Sequence, residues 1–320
     1  MMSNPSDTSP PPELLPSVAP QAQALAHQWR RLARAPQAPW LHTEVARRLG
    51  DKLDAIRLTP AHWLDWSATL GGGAAVVTQR YPQSHRWVWE PTAELAGRAA
   101  QAWLAEHPNP WWAAWRKQAS APVVQAGQAW PEGWPADGVG LVWANMALHT
   151  QADLDATLRA WHAALAVDGF LMCSGLGPDT AGELRALYQR QGWPLPTVQF
   201  IDMHDLGDAL VQAGFADPVM DMERLTLTWD SARAMLAELR TWGGNVARGR
   251  FAGCRTPRWR QRLEDAIDAE LRRPDGRIGL TVELVYGHAI KPLPRALVSE
   301  ETRVSLNDMK RMIKGGSRQP

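Results

Sequence analysis

The sequence predicts an α/β protein built on a mostly parallel sheet. Three observations support this prediction. Short apolar runs recur along the chain, helical stretches of about a dozen residues separate them, and turn residues bound the runs. Strands alternating with helices indicate βαβ units with right-handed crossovers. Because ligands in such sheets bind at the carboxyl ends of the strands, the residues that follow each run are the candidates for function.

The first part of the chain contains five apolar runs of strand length. They lie at 61–66, 85–90, 122–124, 138–145 and 169–175. Asp168–Gly169 is predicted to be the turn before the fifth strand. Helical spacing follows most of the runs, at 74–80, 92–106 and 153–166, and two further helices are predicted ahead of the first strand, at 21–34 and 41–56.

The second part of the chain has a different pattern. Helices are predicted at 178–191 and 202–213, the latter capped by Asp202 and stopped by Gly214. Strand-like runs at 219–229 and 278–290 alternate with helices at 231–241 and 256–271. The two long strands are expected to close the far edge of the sheet.

The composition fits one large globular domain. The chain has 320 residues, of which 45% are hydrophobic and 21% charged, and a net charge of +1, so no global field indicates nucleic acid or a membrane as partner. We expect a polar disordered tail at 1–20, a domain at 21–292 with helical insertions near 178–215 and 231–271, and a basic tail at 293–320. The polar N-terminus lacks a secretory signal, and no apolar run reaches the roughly 20 residues of a membrane span, so a cytoplasmic location is expected.

The turn after the first strand and the acid after the second are the first candidate sites. The turn reads LDWSATLGGG at 64–73, and its glycines let backbone N–H groups approach a cofactor. Glu90 ends the second strand, where an acid accepts hydrogen bonds from both hydroxyls of a ribose. A flexible turn and a solvated acid are the alternative interpretations.

Three other places carry chemically useful side chains. Asn145 and His149 follow the fourth strand, where they would contact substrate, or else serve as a helix cap and a surface histidine. The acids near His204, in DMHDLGD at 202–208, are better explained by helix capping than by a metal. Six arginines suit a phosphate-bearing or acidic partner, or else form a solvated helix face; they are Arg248, Arg250, Arg255, Arg258, Arg260 and Arg262.

Several blocks of the chain resemble a known family. FIDMHDLGDALVQAGFADPVMDMERLTLTW at 200–229 resembles a signature of bacterial malonyl-acyl-carrier-protein O-methyltransferases. It also resembles their relative, the mitochondrial complex I assembly factor that hydroxylates an arginine. Further similar blocks lie at 141–149, 169–185 and 282–292. The resemblance implies a three-layer, Rossmann-like class I methyltransferase fold with a mostly parallel seven-stranded sheet.

The same resemblance implies a cofactor, a substrate and their residues. The cofactor is S-adenosylmethionine, and the substrate is the free carboxylate of a malonyl thioester on acyl carrier protein, in biotin synthesis. The implied cofactor-binding residues are Asp65, Ser67, Thr69, Gly71, Glu90 and Gly127. The implied substrate-side residues, written as catalytic, are Asn145 and His149.

The first family motif resembles LDLGCGTG, and this chain departs from it. Ser67 and Thr69 stand where the motif has glycines, and the acid expected after the third strand is replaced by Gly127 or Gln128. Added Cβ atoms are costly where backbone has positive φ or touches a ligand. Two alternatives to the methyltransferase therefore stay open: a catalytically degenerate relative that acts as a binding or assembly factor, and an assembly factor that hydroxylates arginine.

Overall fold

The computed structural model describes residues 20–107 and 121–294. Nearly all of both expected tails lies outside the described residues. The strands are β1 His62–Trp66, β2 His85–Glu90, β3 Val123–Gln125, β4 Val139–Ala144, β5 Leu165–Leu176, β6 Ala216–Trp229 and β7 Ile278–Ile290. The helices are α1 Ala22–Leu32, α2 Trp40–Asp51, α3 Ala68–Gly71, α4 Ala74–Arg80, α5 Ala93–Glu106, α6 Leu154–Ala164, α7 Gly182–Arg190, α8 Met203–Gln212, α9 Ala232–Trp242 and α10 Pro257–Glu270.

The seven strands form one sheet in the order β3-β2-β1-β4-β5-β7-β6. The first five are parallel, and β7 runs antiparallel to both β5 and β6. The prediction of a mostly parallel sheet is confirmed, as is the prediction that the two long strands close its far edge. The order reverses between β1 and β4, so their carboxyl ends form the crevice where ligands bind in such sheets.

Alternate residues of the central strands enter two different cores. Trp63 of β1 is buried in one core and Leu64 in the other, and Leu141 and Val142 of β4 divide in the same way. This two-residue period is what a strand covered on both faces requires. Helices α1, α2 and α4 contribute to the first core and α6 and α8 to the second, which gives three layers.

Many of the 18 tryptophans of the chain are packing residues. The side chains of Trp63, Trp143 and Trp161 are fully buried. Trp66 and Trp89 lie on neighbouring strands with their rings stacked, 3.6 Å between centroids. A third core, formed by α7, α9, α10 and the start of β7, extends the molecule beyond the sheet.

The predicted turn at Asp168–Gly169 is wrong, because β5 runs through it. The strand pairs with Val139 through Leu165 and with Leu141 through Phe170, so a bulge absorbs the extra residues. Asp168 takes a positive φ of 63° there. Its N–H donates to the carbonyl of Lys291 at 2.9 Å, which holds the bulge against the end of β7.

Helix capping follows the sequence closely. The side chain of Asp202 accepts a hydrogen bond from the N–H of His204 at 2.8 Å, and Gly214 has φ 100°, as the predicted cap and stop require. The described residues contain no group of three side chains that could hold a metal ion. None of the described helices is long and apolar enough to cross a membrane.

Candidate functional site

The turn after β1 begins with a residue in the left-handed conformation and continues as a short helix. Ser67 has φ 58° and ψ 44°, the left-handed conformation that favours glycine. Its carbonyl accepts the N–H of Gly71 at 2.8 Å, which closes the short helix α3. Gly73 then passes so close to Trp143 that a Cβ would lie 2.4 Å from the indole nitrogen. The chain therefore has glycine at position 73, where close packing requires it, but has Ser67 at a position whose left-handed conformation favours glycine.

Ser67→Gly is expected to stabilise the protein by about 0.5–1 kcal/mol, because it removes the cost of a Cβ at positive φ. Urea denaturation measures the change. The neighbouring Ala68→Gly is the control, since it places glycine inside α3 and should destabilise instead. Equal effects from the two substitutions would show that the conformation of Ser67 carries no strain.

Glu90 lies at the carboxyl end of β2, as predicted, and its side chain is 0% exposed. The N–H of Thr69 donates to Oε1 at 2.7 Å. Oε2 is buried and has no hydrogen-bond partner among the described residues. Burial raises the pKa of this carboxyl to about 7, against the opposing effect of the Thr69 hydrogen bonds. Glu90 therefore has one oxygen held by the turn, and a second oxygen that is buried and has no hydrogen-bond partner among the described residues.

The side chain of Asp65 points toward β2 and not toward the crevice. Its carboxylate is 1% exposed and accepts two hydrogen bonds from Arg86, at 2.7 Å from Nη2 and 3.1 Å from Nε. The Arg86 guanidinium also lies over the Trp63 ring, 5.6 Å from its centroid. Burial raises the pKa of Asp65, and Arg86 opposes that shift. In this structure, Asp65 joins β1 to β2 rather than facing the crevice.

Asn145 joins the elements around the crevice. Its side-chain amide donates to the carbonyls of His42 and Gly71, at 2.8 and 2.7 Å. Its Oδ1 accepts the hydroxyl of Ser174 at 2.7 Å, and that hydroxyl accepts the N–H of Met146. Asn145 is 1% exposed and its polar atoms are bonded to the protein. It thereby fixes α2, the turn after β1 and the end of β4 to one another.

Two neutral histidines lie beside this network. The ring of His149 lies beside the ring of His42, with 6.3 Å between their centroids. His42 was not among the residues predicted from the sequence. Burial lowers the pKa of His42 to about 4 and that of His149 to about 3. Nδ1 of His42 lies 2.7 Å from the carbonyl of Leu70 and therefore carries the proton. His42 shares the buried face of α2 with Val45 and Leu49, and this helical spacing is the signal that would have revealed it.

Nε2 of His42 and Nδ1 of His149 are buried without hydrogen-bond partners among the described residues. Since Nδ1 of His42 is the donor, its Nε2 is a hydrogen-bond acceptor at neutral pH. His149 is half-buried, and its Nδ1 has no hydrogen-bond partner among the described residues, so it differs from a surface histidine whose ring nitrogens are all satisfied.

A cavity of about 10 Å³ remains above the carboxyl ends of β1 and β4, enough for about one water molecule. Trp29 and Leu32 of α1 line it on the side away from the sheet, and the part of the chain that the structure describes contributes no lysine or arginine to it. Its lining also includes His42, Ser67, Leu70, Gly71, Asn145, Met146 and Trp242. The crevice therefore offers acceptors and apolar surface, but no cation.

Gly127 lies at the far side of the same edge. It follows β3 with φ 81°, is exposed, and has open space where a Cβ would be. The structure thus gathers Ser67, Thr69, Gly71 and Glu90 into one cluster, with Asn145 and His149 beside it. The Asp65 side chain lies outside this cluster, in its ion pair with Arg86, and Gly127 lies exposed after β3.

Known proteins resemble the chain over most of its length. No family model matches the chain. Over 269 residues it is 38% identical to a malonyl-acyl-carrier-protein O-methyltransferase of Laribacter hongkongensis, covering 83% of this chain and 88% of that protein. A protein of the same name from Gallionella capsiferriformans is 37% identical over 258 residues, covering 80% and 85%. The solved structure of the YcgJ protein from a Bacillus matches with a TM-score of 0.50 at 14% identity, covering 78% of this chain and 99% of that one, which supports the fold alone.

Proposed function

Because the chain belongs to the malonyl-acyl-carrier-protein O-methyltransferase family, we propose that it methylates the free carboxylate of a malonyl thioester on acyl carrier protein, with S-adenosylmethionine as cofactor. The fold is the class I methyltransferase fold that the sequence predicted. The observation that carries the proposal is the buried, unpartnered Oε2 of Glu90 at the end of β2. A ribose hydroxyl is the donor that this position takes in related sheets.

Glu90 supports the ribose end of the cofactor, and the turn from Ser67 to Gly71 supports its methionine end. We assign Gly127 to the adenine side, because it lies open after β3. Asp65 acts from within its ion pair with Arg86, by holding β1 and β2 in register.

The methionine end requires a change at α1. The cavity of about 10 Å³ is too small for it while Trp29 and Leu32 are in place. Displacement of these two side chains would open the space over β1 and β4 without disturbing the network of Asn145. We therefore assign the opening of the crevice to α1.

The proposed methyl transfer needs no acid or base from the protein. When bound, S-adenosylmethionine supplies an electrophilic methyl group. A malonyl carboxylate is already ionised at neutral pH, so no general base is needed. The residues of this chain orient the reactants and exclude water. His42 and His149 remain neutral at pH 7, because burial lowers the pKa of each well below that pH, and so they add no competing cation.

The test combines binding and turnover. We expect calorimetry to show binding of S-adenosylmethionine to the full chain, and mass spectrometry to show a methyl ester on malonyl-acyl-carrier protein. Acyl carrier protein loaded with an acetyl group is the matched control, because it lacks the free carboxylate. Folded protein that binds no cofactor and forms no ester at millimolar ligand would overturn the proposal.

A second candidate is favoured by the closed cavity and by helix α3 in place of a glycine loop. It is a relative that keeps the fold and binds a partner without catalysis. Growth of a biotin-requiring strain that lacks the methyltransferase, when it carries this chain, would exclude this candidate. A gain of 16 Da on a partner protein would indicate arginine hydroxylation instead.

A further inference from the structure

A second, larger opening lies on the other side of α1. It is a cleft of about 750 Å³ between α1 and the segment that follows α9. Four arginines line it, Arg30 and Arg31 from α1, Arg240 from α9 and Arg250 from the segment, and we call it the arginine cleft. None of the described residues that line it is an aspartate or a glutamate. The cleft is therefore strongly cationic although the whole chain is nearly neutral.

Within the described ranges, the four arginines of the cleft have no carboxylate partner. None of them forms an ion pair with a described residue, whereas Arg48, Arg86 and Arg190 elsewhere each do. Arg31 donates instead to the carbonyl of Gly243, and Arg250 to the side chain of Gln21. Burial lowers the pKa of Arg31, and the charge of Arg240 lowers it further. Like charges held together in this way favour an anionic ligand.

The other arginines of the sequence cluster are already engaged or lie outside the cleft. Arg260 pairs with Glu264 at 2.8 Å. Arg255 stacks over Trp259 at 4.0 Å, and Arg262 stacks over Trp193 at 5.5 Å. Of the six arginines noted in the sequence, only Arg250 lines the cleft. A solvated or stacked helix face thus describes most of that cluster.

The arginine cleft and the small cavity share a wall. Gln28 lines both openings, and its Oε1 accepts the N–H of Gly244 at 2.8 Å, which ties α1 to the segment. Trp29 faces the cavity, while the next two residues of α1 line the cleft. A linear ligand that enters past α1 would hold an anion in the cleft and its far end at the crevice.

We propose that the arginine cleft binds the phosphodiester of the prosthetic arm that carries the substrate thioester. The identity of the arm rests on the proposed function. Arginine recognises phosphate oxygens bidentately, and several guanidiniums bind one phosphate group more strongly than scattered charges do. A phosphate is expected in the cleft rather than in the cavity, since four arginines line the cleft and none of the described lining residues of the cavity is a lysine or an arginine.

Binding is measured by calorimetry with malonyl-phosphopantetheine whose phosphate is methyl-esterified, so that it is a phosphodiester as on the carrier, and with malonyl-pantetheine, which lacks the phosphate. We expect the wild-type chain to prefer the phosphorylated arm at least tenfold. Arg30→Gln combined with Arg240→Gln is expected to remove about tenfold of that affinity, which corresponds to about 1.4 kcal/mol. Both side chains are exposed, so the substitutions should leave the fold intact. Arg159→Gln on α6 is the control, an exposed arginine on the opposite layer, and should change nothing.

The readout does not need turnover, so its failure is distinguishable from failure of the proposed function. Where methyl transfer is observed, the double variant should raise KM for the phosphorylated arm and leave kcat unchanged. Equal affinity for the two arms would overturn the inference, as would a double variant that binds like wild type. A variant that weakens binding of the carrier protein but not of the free phosphorylated arm would also overturn it, because the cleft would then bind the acidic surface of the carrier.

Discussion

Replacing Glu90 by glutamine is expected to weaken S-adenosylmethionine binding about ten- to hundredfold. In the ligand-free protein, the free energy of unfolding of the variant is expected to increase relative to that of wild type as the pH rises from 5 to 8. The binding loss follows from removing a charged acceptor at the ribose position. The relative gain in stability follows from removing a buried charge whose Oε2 has no partner among the described residues.

The sign of the stability effect comes from the raised pKa of Glu90, about 7 against an ordinary value of 4.5. A carboxyl whose pKa is raised by folding stabilises the native state below the unfolded pKa, and loses that contribution as the pH rises through the folded pKa. Wild type should therefore lose on the order of 2–3 kcal/mol between pH 5 and pH 8 that Glu90→Gln does not lose.

Urea denaturation of both proteins at pH 5 and pH 8 measures this difference, since effects of other groups cancel. Glu94→Gln is the control, because Glu94 is exposed on α5. Cofactor affinity of wild type should also rise from pH 6 to pH 8, because the ribose hydroxyls donate to the ionised form. A stability difference that is constant with pH would mean that Glu90 is ionised in the folded protein already at pH 5.

Arg86→Met is expected to destabilise the protein by about 3–5 kcal/mol, because it leaves the carboxylate of Asp65 buried without a partner. Asp65 is 1% exposed, and Arg86 supplies both of its hydrogen bonds. Urea denaturation at pH 7 measures the loss. Asp65→Asn combined with Arg86→Met should recover a large part of it, since the double variant buries no charge.

Arg80→Met provides a matched control for Arg86→Met. Arg80 pairs with Asp54 at 3.7 Å, but the Asp54 side chain is 84% exposed. An exposed pair of this kind contributes about 0–1 kcal/mol. Similar losses from the two substitutions would mean that the burial of Asp65 has no energetic weight, and would contradict the role given to its ion pair.

Much of the fold follows from local sequence patterns. The strands at 85–90 and 278–290 begin and end where their apolar runs do, because each run fits a strand covered on both faces. The Asp168–Gly169 prediction failed for an identifiable reason. Asp-Gly usually indicates a turn, but here pairing with both β4 and β7 keeps the strand intact around a bulge.

The candidate site was predictable in position but not in contacts. The position of Glu90 after β2 follows from strand order. Tertiary packing determines that the Asn145 side chain donates to backbone carbonyls and that the Asp65 carboxylate pairs with Arg86. The spacing of residues along the sequence does not indicate either contact. The helical spacing of α2 indicates that His42 is buried, but its position beside His149 could not be predicted, because the two residues belong to elements that are distant in sequence. The arginine cleft was missed for the same reason. Arg31 and Arg240 become neighbours only when α1 packs beside the end of α9.

The shared position of α1 has a thermodynamic consequence. One helix covers the cavity with Trp29 and lines the cleft with Arg30 and Arg31. If a ligand on one side shifts the equilibrium of this helix, the ligand on the other side meets a different population of the protein. Linkage then makes the effect reciprocal: the factor by which the carrier arm changes the affinity for the methyl donor equals the factor by which the methyl donor changes the affinity for the arm. Helix α1 would thus make the two substrates cooperative although they occupy separate openings.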